Sequence, residues 1–322
     1  MTVSLLPLLI ISALLIITII AYFKIADYYN IIDKPNQRSS HTGIIIRGGG
    51  IIFYIGMLLY GVFYGFWYPW FMAGLTFIAL ISFIDDIREV NRRLRLVVHF
   101  TAMALMFYDL GLFTAFPFWY SLIALVIFTG IINAYNFMDG INGITGGYSI
   151  ILLISLAWFN VEFQFIDPLF LYVSIISVTI FNFFNFRKKA KCFAGDVGSV
   201  SIAFIILFAL GKLILATNDL SYIIILAVYG VDSILTIIHR LMLRENIFLA
   251  HRKHAYQLMA NELKIPHITV SLVYMNIQTT IIICFILLYT YRWIYLVATL
   301  AVLAVLYIVF MRKFFHLHKQ LE

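Results

Sequence analysis

Apolar runs of about twenty residues recur along the whole chain, and they constrain its fold more than any other feature. Of the 322 residues, 63% are hydrophobic and 11% are charged, whereas a soluble domain carries roughly 25% charged residues. One helix needs about 20 apolar residues to cross a bilayer. Because a backbone in lipid must satisfy its own hydrogen bonds, and these runs lack alternation with period two, they predict helices rather than a barrel. We therefore expect an all-α, polytopic transmembrane helical bundle.

The runs predict about eleven spans, at approximately 3–23, 48–66, 70–84, 95–112, 118–135, 145–160, 168–186, 197–216, 221–239, 267–290 and 294–311. Alternate connections then fall on one side, together with the tail from Arg312, at 24–47, 85–95, 136–144, 187–196 and 240–266. These segments hold 20 of the 22 lysine and arginine residues. Cytoplasmic loops carry an excess of these residues, which predicts an outside N-terminus and a cytoplasmic C-terminus. Residues 1–322 are expected to form a single integral membrane domain, because no soluble domain fits between the spans.

Two adjacent carboxylates, Asp85 and Asp86, lie at the predicted inner end of the third span. Mg²⁺ takes oxygen ligands from one or two carboxylates together with substrate phosphates, and ionisable groups in membrane segments usually mark a functional site. A solvated helix end neutralised by nearby arginines would also explain the pair; the candidates are Arg88, Arg92, Arg93 and Arg95. The pair by itself leaves both interpretations open.

A second polar segment, NAYNFMDGING at 133–143, ends the fifth predicted span. Glycines let a backbone approach a ligand closely, and amides can recognise a heterocycle through paired donors and acceptors. An ordinary Asn/Gly turn has a similar composition. The polar cluster begins inside the predicted helix, however, and this favours a ligand site.

Four further features are candidates for a functional role. Asp196 could cap the eighth span, or it could bind a metal at a helix N-terminus that also favours phosphate. Arg47 precedes a glycine run that could cradle an anion. The HRKH segment at 251–254 suits phosphate or an anionic lipid surface better than a metal. Asp232, the deepest acid, could pair with Arg240 or line a cavity.

Six motifs appear in the order found in the polyprenyl-phosphate N-acetylhexosamine-1-phosphate transferase superfamily (glycosyltransferase family 4). They are DKPNQRSSH at 33–41, RGGG at 47–50, FIDD at 83–86, NAYNFMDGING at 133–143, FAGDVGS at 193–199 and HRKH-x-x-Q at 251–257. The chain resembles the O-antigen and GlcNAc branch more than the peptidoglycan translocase.

This resemblance implies that a UDP-amino sugar donates its sugar phosphate to undecaprenyl or another polyprenyl phosphate and releases UMP. It implies Mg²⁺, or Mn²⁺ in its place, as cofactor, and the start of a lipid-linked cell-surface glycan such as O-antigen as the purpose. The expected location is the bacterial inner membrane with a cytoplasmic active site. A homodimer is a possible assembly, and no nucleic-acid partner is expected.

By similarity, Asp85 and Asp86 are the acidic pair associated with the metal and the acceptor phosphate, and Asp196 is the main metal ligand. These three are the predicted catalytic and metal-binding residues. The predicted substrate-binding residues are Arg47, Asn136, Asp139, Gly140, Asn142, Asn185, Phe193, His251, Arg252 and His254.

Departures from the family pattern bear on the substrate. Asn142 stands where many members have aspartate, and the stretch 187–191 is basic where many members have proline. HRKH replaces the three consecutive histidines of the MurNAc-pentapeptide translocase. This argues against that activity, which remains the alternative within the family, and favours UDP-GlcNAc or a deoxy relative such as UDP-FucNAc or UDP-QuiNAc.

A transporter or flippase is the alternative from another class. Transporters place charged residues near the bilayer midplane, often at broken helices. Here the acids at 85, 86, 139 and 196 are all predicted at one face of the membrane. The expected pattern therefore favours an enzyme.

Overall fold

The computed structural model describes residues 5–33, 44–246 and 251–319, and this part of the chain is almost entirely helical. The long helices are α1 (Leu5–Tyr28), α2 (Ile51–Tyr64), α3 (Pro69–Ile87), α4 (Arg92–Leu110), α6 (Phe118–Met138), α7 (Ile144–Phe163), α8 (Pro168–Asn185), α9 (Gly195–Thr217), α10 (Ala227–Met242), α12 (His267–Leu287) and α13 (Arg292–Lys319). The short elements are the hairpin β1 (Ile32–Asp33) and β2 (Ile45–Ile46), the helices α5 (Leu112–Ala115) and α11 (Ala255–Gln257), 3-10 turns at Leu220–Leu226 and Tyr289–Tyr291, and a π turn at Leu258–Glu262.

Each of the eleven predicted spans overlaps one of the long helices. Within the described ranges, nine helical segments are long and apolar enough to cross a membrane. The other two are α2, which has only 14 residues, and α4, which carries three arginines in its first turn. The chain is therefore an all-α, multi-pass membrane protein, as predicted, while the number of crossings and the side of each terminus remain predictions.

Several helices differ in length from the predicted spans, and the largest difference is in α13, which continues to Lys319. The third and sixth predicted spans, at 70–84 and 145–160, correspond to helices α3 and α7 of 19 and 20 residues. Helix α3 is longer than predicted because it continues through both acids to Ile87. The short helix is α2, since the glycines at 48–50 form a turn before it.

Helix α9 is the central helix of the bundle. Every residue from 197 to 211 is buried, and the helix contacts α2, α3, α4, α6 and α7. Lipid-facing helices are also apolar, so apolarity alone does not make a helix central; small residues of α9 such as Gly198, Ser199 and Ser201 let neighbouring helices approach closely. The N-terminus of α9 is therefore surrounded by the ends of other helices.

The segment after β2 lies against the start of α9. Strand β2 pairs antiparallel with β1. The Phe193 N–H donates to the Ile46 carbonyl at 2.8 Å, and the Gly49 N–H donates to the Phe193 carbonyl at 2.8 Å. A Cβ at Gly50 would lie 2.3 Å from the Cα of Gly198. The two backbones thus touch at a point where neither chain has room for a side chain.

We expect Gly50→Ala to lower the free energy of unfolding by about 1–3 kcal/mol, because overpacking forces backbone shifts. Gly130→Ala is the matched control, since nothing lies within 4 Å of a Cβ added at Gly130 in α6. That control should be neutral or stabilising by about 0.5–1 kcal/mol, as alanine favours helix over glycine. Thermal unfolding of the purified variants in detergent measures both, and equal midpoints would contradict the backbone contact.

Candidate active site

Asp86, near the end of α3, caps the N-terminus of α9. Its side chain is fully buried. Oδ1 accepts the N–H of Asp196 at 2.9 Å, and Oδ2 accepts the N–H of Val197 at 3.0 Å. The first N–H groups of a helix have no partner within the helix, so a carboxylate from α3 satisfies them.

Gly195 permits this close approach. Its φ is +71°, and a Cβ there would lie 2.5 Å from Oδ2 of Asp86. A residue with a side chain would be strained in this backbone conformation and would displace the carboxylate. The suggestion that Asp196 caps α9 is wrong, because Asp196 lies within the first turn and the N-cap residue, Ala194, makes no side-chain cap hydrogen bond.

Two arginines hold the three carboxylates of Asp85, Asp86 and Asp196, which we call the acidic cluster. Arg47 Nε lies 2.7 Å from Asp86 Oδ1, and its Nη2 lies 3.3 Å from Asp196 Oδ1. Arg95 Nη1, from the first turn of α4, lies 2.6 Å from Asp85 Oδ2 and 3.8 Å from Asp196 Oδ2. The carboxyl groups of Asp85 and Asp196 contact each other. The predicted acids and Arg47 are therefore brought together.

Arg95 is the one arginine among the four suggested counter-charges that contacts the acidic cluster. The side chains of Arg88, Arg92 and Arg93 are exposed at the surface. Positive charge therefore does neutralise the acids at the end of α3. It comes from Arg95 in α4 and from Arg47 in the segment before α2. The sequence suggested Arg95 only as one of four possible counter-charges, and its spacing did not distinguish it from the other three.

The acidic cluster has the chemistry of a divalent-cation site. Oxygen ligands are those that Mg²⁺ and Mn²⁺ prefer, and three carboxylates exceed the charge of two arginines. Within the described residues, however, no three or more His, Cys, Asp or Glu side chains are arranged so that they could hold one metal ion. The carboxylate oxygens instead face the guanidinium groups. Asp196 has the longest of these contacts, so it is the carboxylate most available to a cation.

The end of α6 lies beside the acidic cluster. Asn136 Oδ1 accepts a hydrogen bond from the Ser199 hydroxyl in the first turns of α9 at 2.8 Å. Burial, followed by the charge of Asp196, raises the pKa of Asp139 to about 7. The Tyr256 hydroxyl lies against Gly140 and donates to the Phe137 carbonyl at 2.8 Å. These contacts place the NAYNFMDGING segment between α9 and the HRKH segment.

Asn142 and Asn185 are buried and connect neighbouring loops. The Asn142 amide donates to the carbonyls of Arg187 and Lys188 at 2.9 and 3.3 Å, and its Oδ1 is buried without a partner in the described structure. The Asn185 amide donates to the Cys192 carbonyl and accepts the Gly143 N–H, both at 2.8 Å. The loops that lead into α7 and α9 are therefore joined, and Phe193 follows directly with a half-buried side chain.

The histidine segment, residues 251–257, covers the end of α6. The His251 ring lies 6.0 Å from the Phe137 ring. Burial, followed by nearby positive charge that includes Arg240, lowers the pKa of His251 to about 3. This pKa favours a neutral imidazole at pH 7, which can donate or accept a hydrogen bond.

Arg252 and His254 face acids of other elements. Arg252 Nη2 lies 4.0 Å from Glu262, and His254 Nδ1 lies 3.2 Å from Asp232 in α10.

The motif at 33–41 falls, after its first residue, outside the described residues, as do the four residues that precede His251.

A membrane bundle with carboxylates, arginines and amides gathered at one end of its helices defines a class of membrane-embedded enzyme site. The model of the glycosyl transferase family 4 matches residues 68–214. A Bacillus subtilis (strain 168) protein described as a probable undecaprenyl-phosphate N-acetylglucosaminyl 1-phosphate transferase is 30% identical over 260 residues, which cover 74% of this chain and 72% of that protein. The chain belongs to glycosyl transferase family 4.

Two more relatives have related descriptions. The undecaprenyl-phosphate alpha-N-acetylglucosaminyl 1-phosphate transferase of Escherichia coli (strain K12) is 25% identical over 77% of this chain and 75% of its own length. The protein of the same description from Yersinia pestis is 27% identical over 73% of this chain and 71% of its own length. The predictions of an enzyme and of its superfamily are confirmed, and the GlcNAc-type branch agrees with these descriptions.

Asp86 and Asp196 should differ in their effect on stability. Asp86→Asn places an amide N–H against the backbone donors of α9, so we expect a loss of about 1–3 kcal/mol in the free energy of unfolding. Asp196→Asn should cost less than about 1 kcal/mol, because its contacts with the arginines are long and partly exposed. Thermal unfolding without nucleotide compares the two, and an equal loss in both variants would argue against the cap.

Proposed function

We propose that this chain transfers GlcNAc 1-phosphate from UDP-GlcNAc to undecaprenyl phosphate and releases UMP. The observation that carries the proposal is the acidic cluster, held by Arg47 and Arg95 at one end of the bundle. The descriptions of the relatives support the donor and the acceptor. A deoxy relative of the donor, UDP-FucNAc or UDP-QuiNAc, is the second candidate on the evidence of the HRKH segment.

In this reaction an oxygen of the acceptor phosphate attacks the β-phosphorus of the donor. A new P–O bond forms, the bond from that phosphorus to the bridging oxygen of UMP breaks, and UMP leaves with the bond's electrons. The two reactants are both anionic, so positive charge must bring them together. Arg47 and Arg95 are suitable for this role because guanidinium groups bind phosphate oxygens through two parallel hydrogen bonds.

The residues of the acidic cluster fit a divalent cation, and we assign its binding to Asp196 and Asp85, assisted by Asp86. Asp86 is the least available of the three, since its oxygens accept backbone N–H groups of α9. When bound, Mg²⁺ or Mn²⁺ neutralises phosphate charge and stabilises the charge that develops during transfer. The arginines would then exchange carboxylate partners for phosphate partners.

The remaining predicted residues are assigned to the donor. Asn136, Asp139, Gly140 and Asn142 supply amide, carboxyl and backbone groups between α9 and the histidine segment, and groups of this kind recognise a nucleoside. Asn185 acts through the loops that it joins, and Phe193 offers an apolar ring beside them. His251, Arg252 and His254 are assigned to the sugar and the diphosphate.

The active site is proposed to face the cytoplasm of the bacterial plasma membrane. This assignment rests on the distribution of the basic residues and on the solubility of the nucleotide donor. A homodimer remains a prediction.

The test is UMP release from UDP-GlcNAc by purified protein with Mg²⁺ and undecaprenyl phosphate. We expect Asp196→Asn to lower kcat by about 100-fold or more, because the charge stabilisation it supports acts mainly in the transition state. Glu162→Gln is the matched control, since Glu162 is an exposed acid near the end of α7, and it should keep wild-type turnover. No UMP release from any UDP-amino sugar by the wild type would overturn the proposal and favour a transporter.

His251 should influence the choice of donor more than the use of metal. We expect His251→Ala to change the ratio of kcat/KM between UDP-GlcNAc and its deoxy relatives by about tenfold, as the loss of a polar contact does at a specificity site. The Mg²⁺ concentration that gives half-maximal rate should not move. His316→Ala, an exposed histidine at the end of α13, is the control, and an unchanged donor ratio in His251→Ala would remove that role.

A further inference from the structure

Asp232 is a buried acid that the proposed reaction does not use. It lies in α10 with 4% of its surface exposed, and it lines an apolar cavity of about 370 Å³ between α10, α12 and α13. A charge in such a place costs several kcal/mol unless it is paired and hydrogen-bonded. The suggested pairing with Arg240 is wrong, because Arg240 contacts Glu245 and the Asn246 carbonyl. The suggestion that Asp232 lines a cavity is confirmed.

The partners of Asp232 come from three elements. Its Oδ1 accepts the Ala255 N–H at 3.1 Å and the Thr236 hydroxyl at 3.1 Å, and it lies 3.2 Å from His254 Nδ1. Its Oδ2 accepts the Tyr274 hydroxyl at 2.6 Å. Asp232 therefore fixes the start of α11 to α10 and α12.

These contacts determine which nitrogen of His254 carries a proton. A backbone N–H can only donate, so the Oδ1 that faces Ala255 is an acceptor. The same oxygen faces Nδ1 of His254, so Nδ1 must donate to it. A carboxylate that binds one ring nitrogen fixes both the tautomer and the orientation of an imidazole.

The other ring nitrogen of His254 is buried and has no hydrogen-bond partner in the described part of the chain. The ring lies 5.0 Å from the His251 ring and 6.5 Å from the Phe137 ring, beside the end of α6. An unsatisfied buried polar atom is unfavourable, because it has lost its hydrogen bond to water and has gained none in the protein. Such an atom next to the proposed donor site is suited to a ligand.

We propose that Asp232 is a positioning residue for donor recognition, and that it holds His254 so that Nε2 can accept a hydrogen bond from a hydroxyl or amide N–H of the donor sugar. This inference rests on the proposed function. Asp232 does not touch the donor itself; it acts through His254.

The first test is a double-mutant cycle on UMP release. We expect Asp232→Asn to lower kcat/KM for the donor by about tenfold or more, as loss of an orienting partner does, with the KM for the lipid unchanged. In a His254→Gln background, the same change should cost less than about twofold, because the residue it acts through is gone. Additive losses would overturn the inference and leave Asp232 a purely structural role.

Thr236→Val is the matched control, because it removes another hydrogen bond to the same oxygen without touching His254. It should keep kcat/KM within about twofold of the wild type. Asp232→Glu keeps the carboxylate and should recover part of the activity lost in Asp232→Asn. If Asp232→Asn does not fold, the ¹⁵N-histidine measurement on the wild type decides the inference, since it reads the tautomer of His254 without any variant.

The second test needs no substrate. In ¹⁵N-histidine-labelled protein, the His254 signals should show a proton on Nδ1 and none on Nε2, and Asp232→Asn should abolish this preference. A proton on Nε2 in the wild type would overturn the inference. A wild type that releases no UMP but shows the expected tautomer would instead overturn the proposed function, so the two failures are distinguishable.

Discussion

The contact between the Asp86 carboxylate and the N-terminus of α9 is the interaction on which the rest of the site depends. It joins α3 to the central helix, and Arg47 completes it from the segment before α2. Because the acceptor is a charge, it satisfies two free N–H groups and also interacts favourably with the helix dipole. The same contact brings Asp85 and Asp196 together. The fold and the acidic cluster therefore share one set of contacts.

The architecture was predictable because a long apolar run in lipid commonly forms a helix, which satisfies its own backbone hydrogen bonds. The sequence identified the polar residues of the site, but it did not show which of them contact each other. Asp86 and the α9 amides lie 110 and 111 residues apart in the chain, and no local pattern encodes such a contact. For the same reason the end of α3 was placed too early. Helix α3 can continue through Asp85 and Asp86 because Arg95, Arg47 and α9 satisfy their charges.

The histidine segment shows a second limit of sequence. The basic HRKH segment suggested a phosphate-binding surface, yet burial, with Arg240 and Lys253 nearby, lowers the pKa of His251 and opposes its positive charge. The partner of His254 lies 22 residues away on α10. The only signal for Asp232 was its depth within a predicted span, and this signal identified the residue without identifying what it contacts.

The contact between Gly50 and Gly198 has a consequence for how such a protein can diversify. A backbone-to-backbone contact leaves no side chain to exchange, so a substitution at either glycine must move the segment before α2 away from the start of α9. Variation in the accepted sugar must then be introduced elsewhere. The histidine segment is suited to it, since it packs through side chains on the end of α6. A redesign of the proposed donor choice should therefore begin with residues 251–257 and leave the acidic cluster and its two arginines as they are.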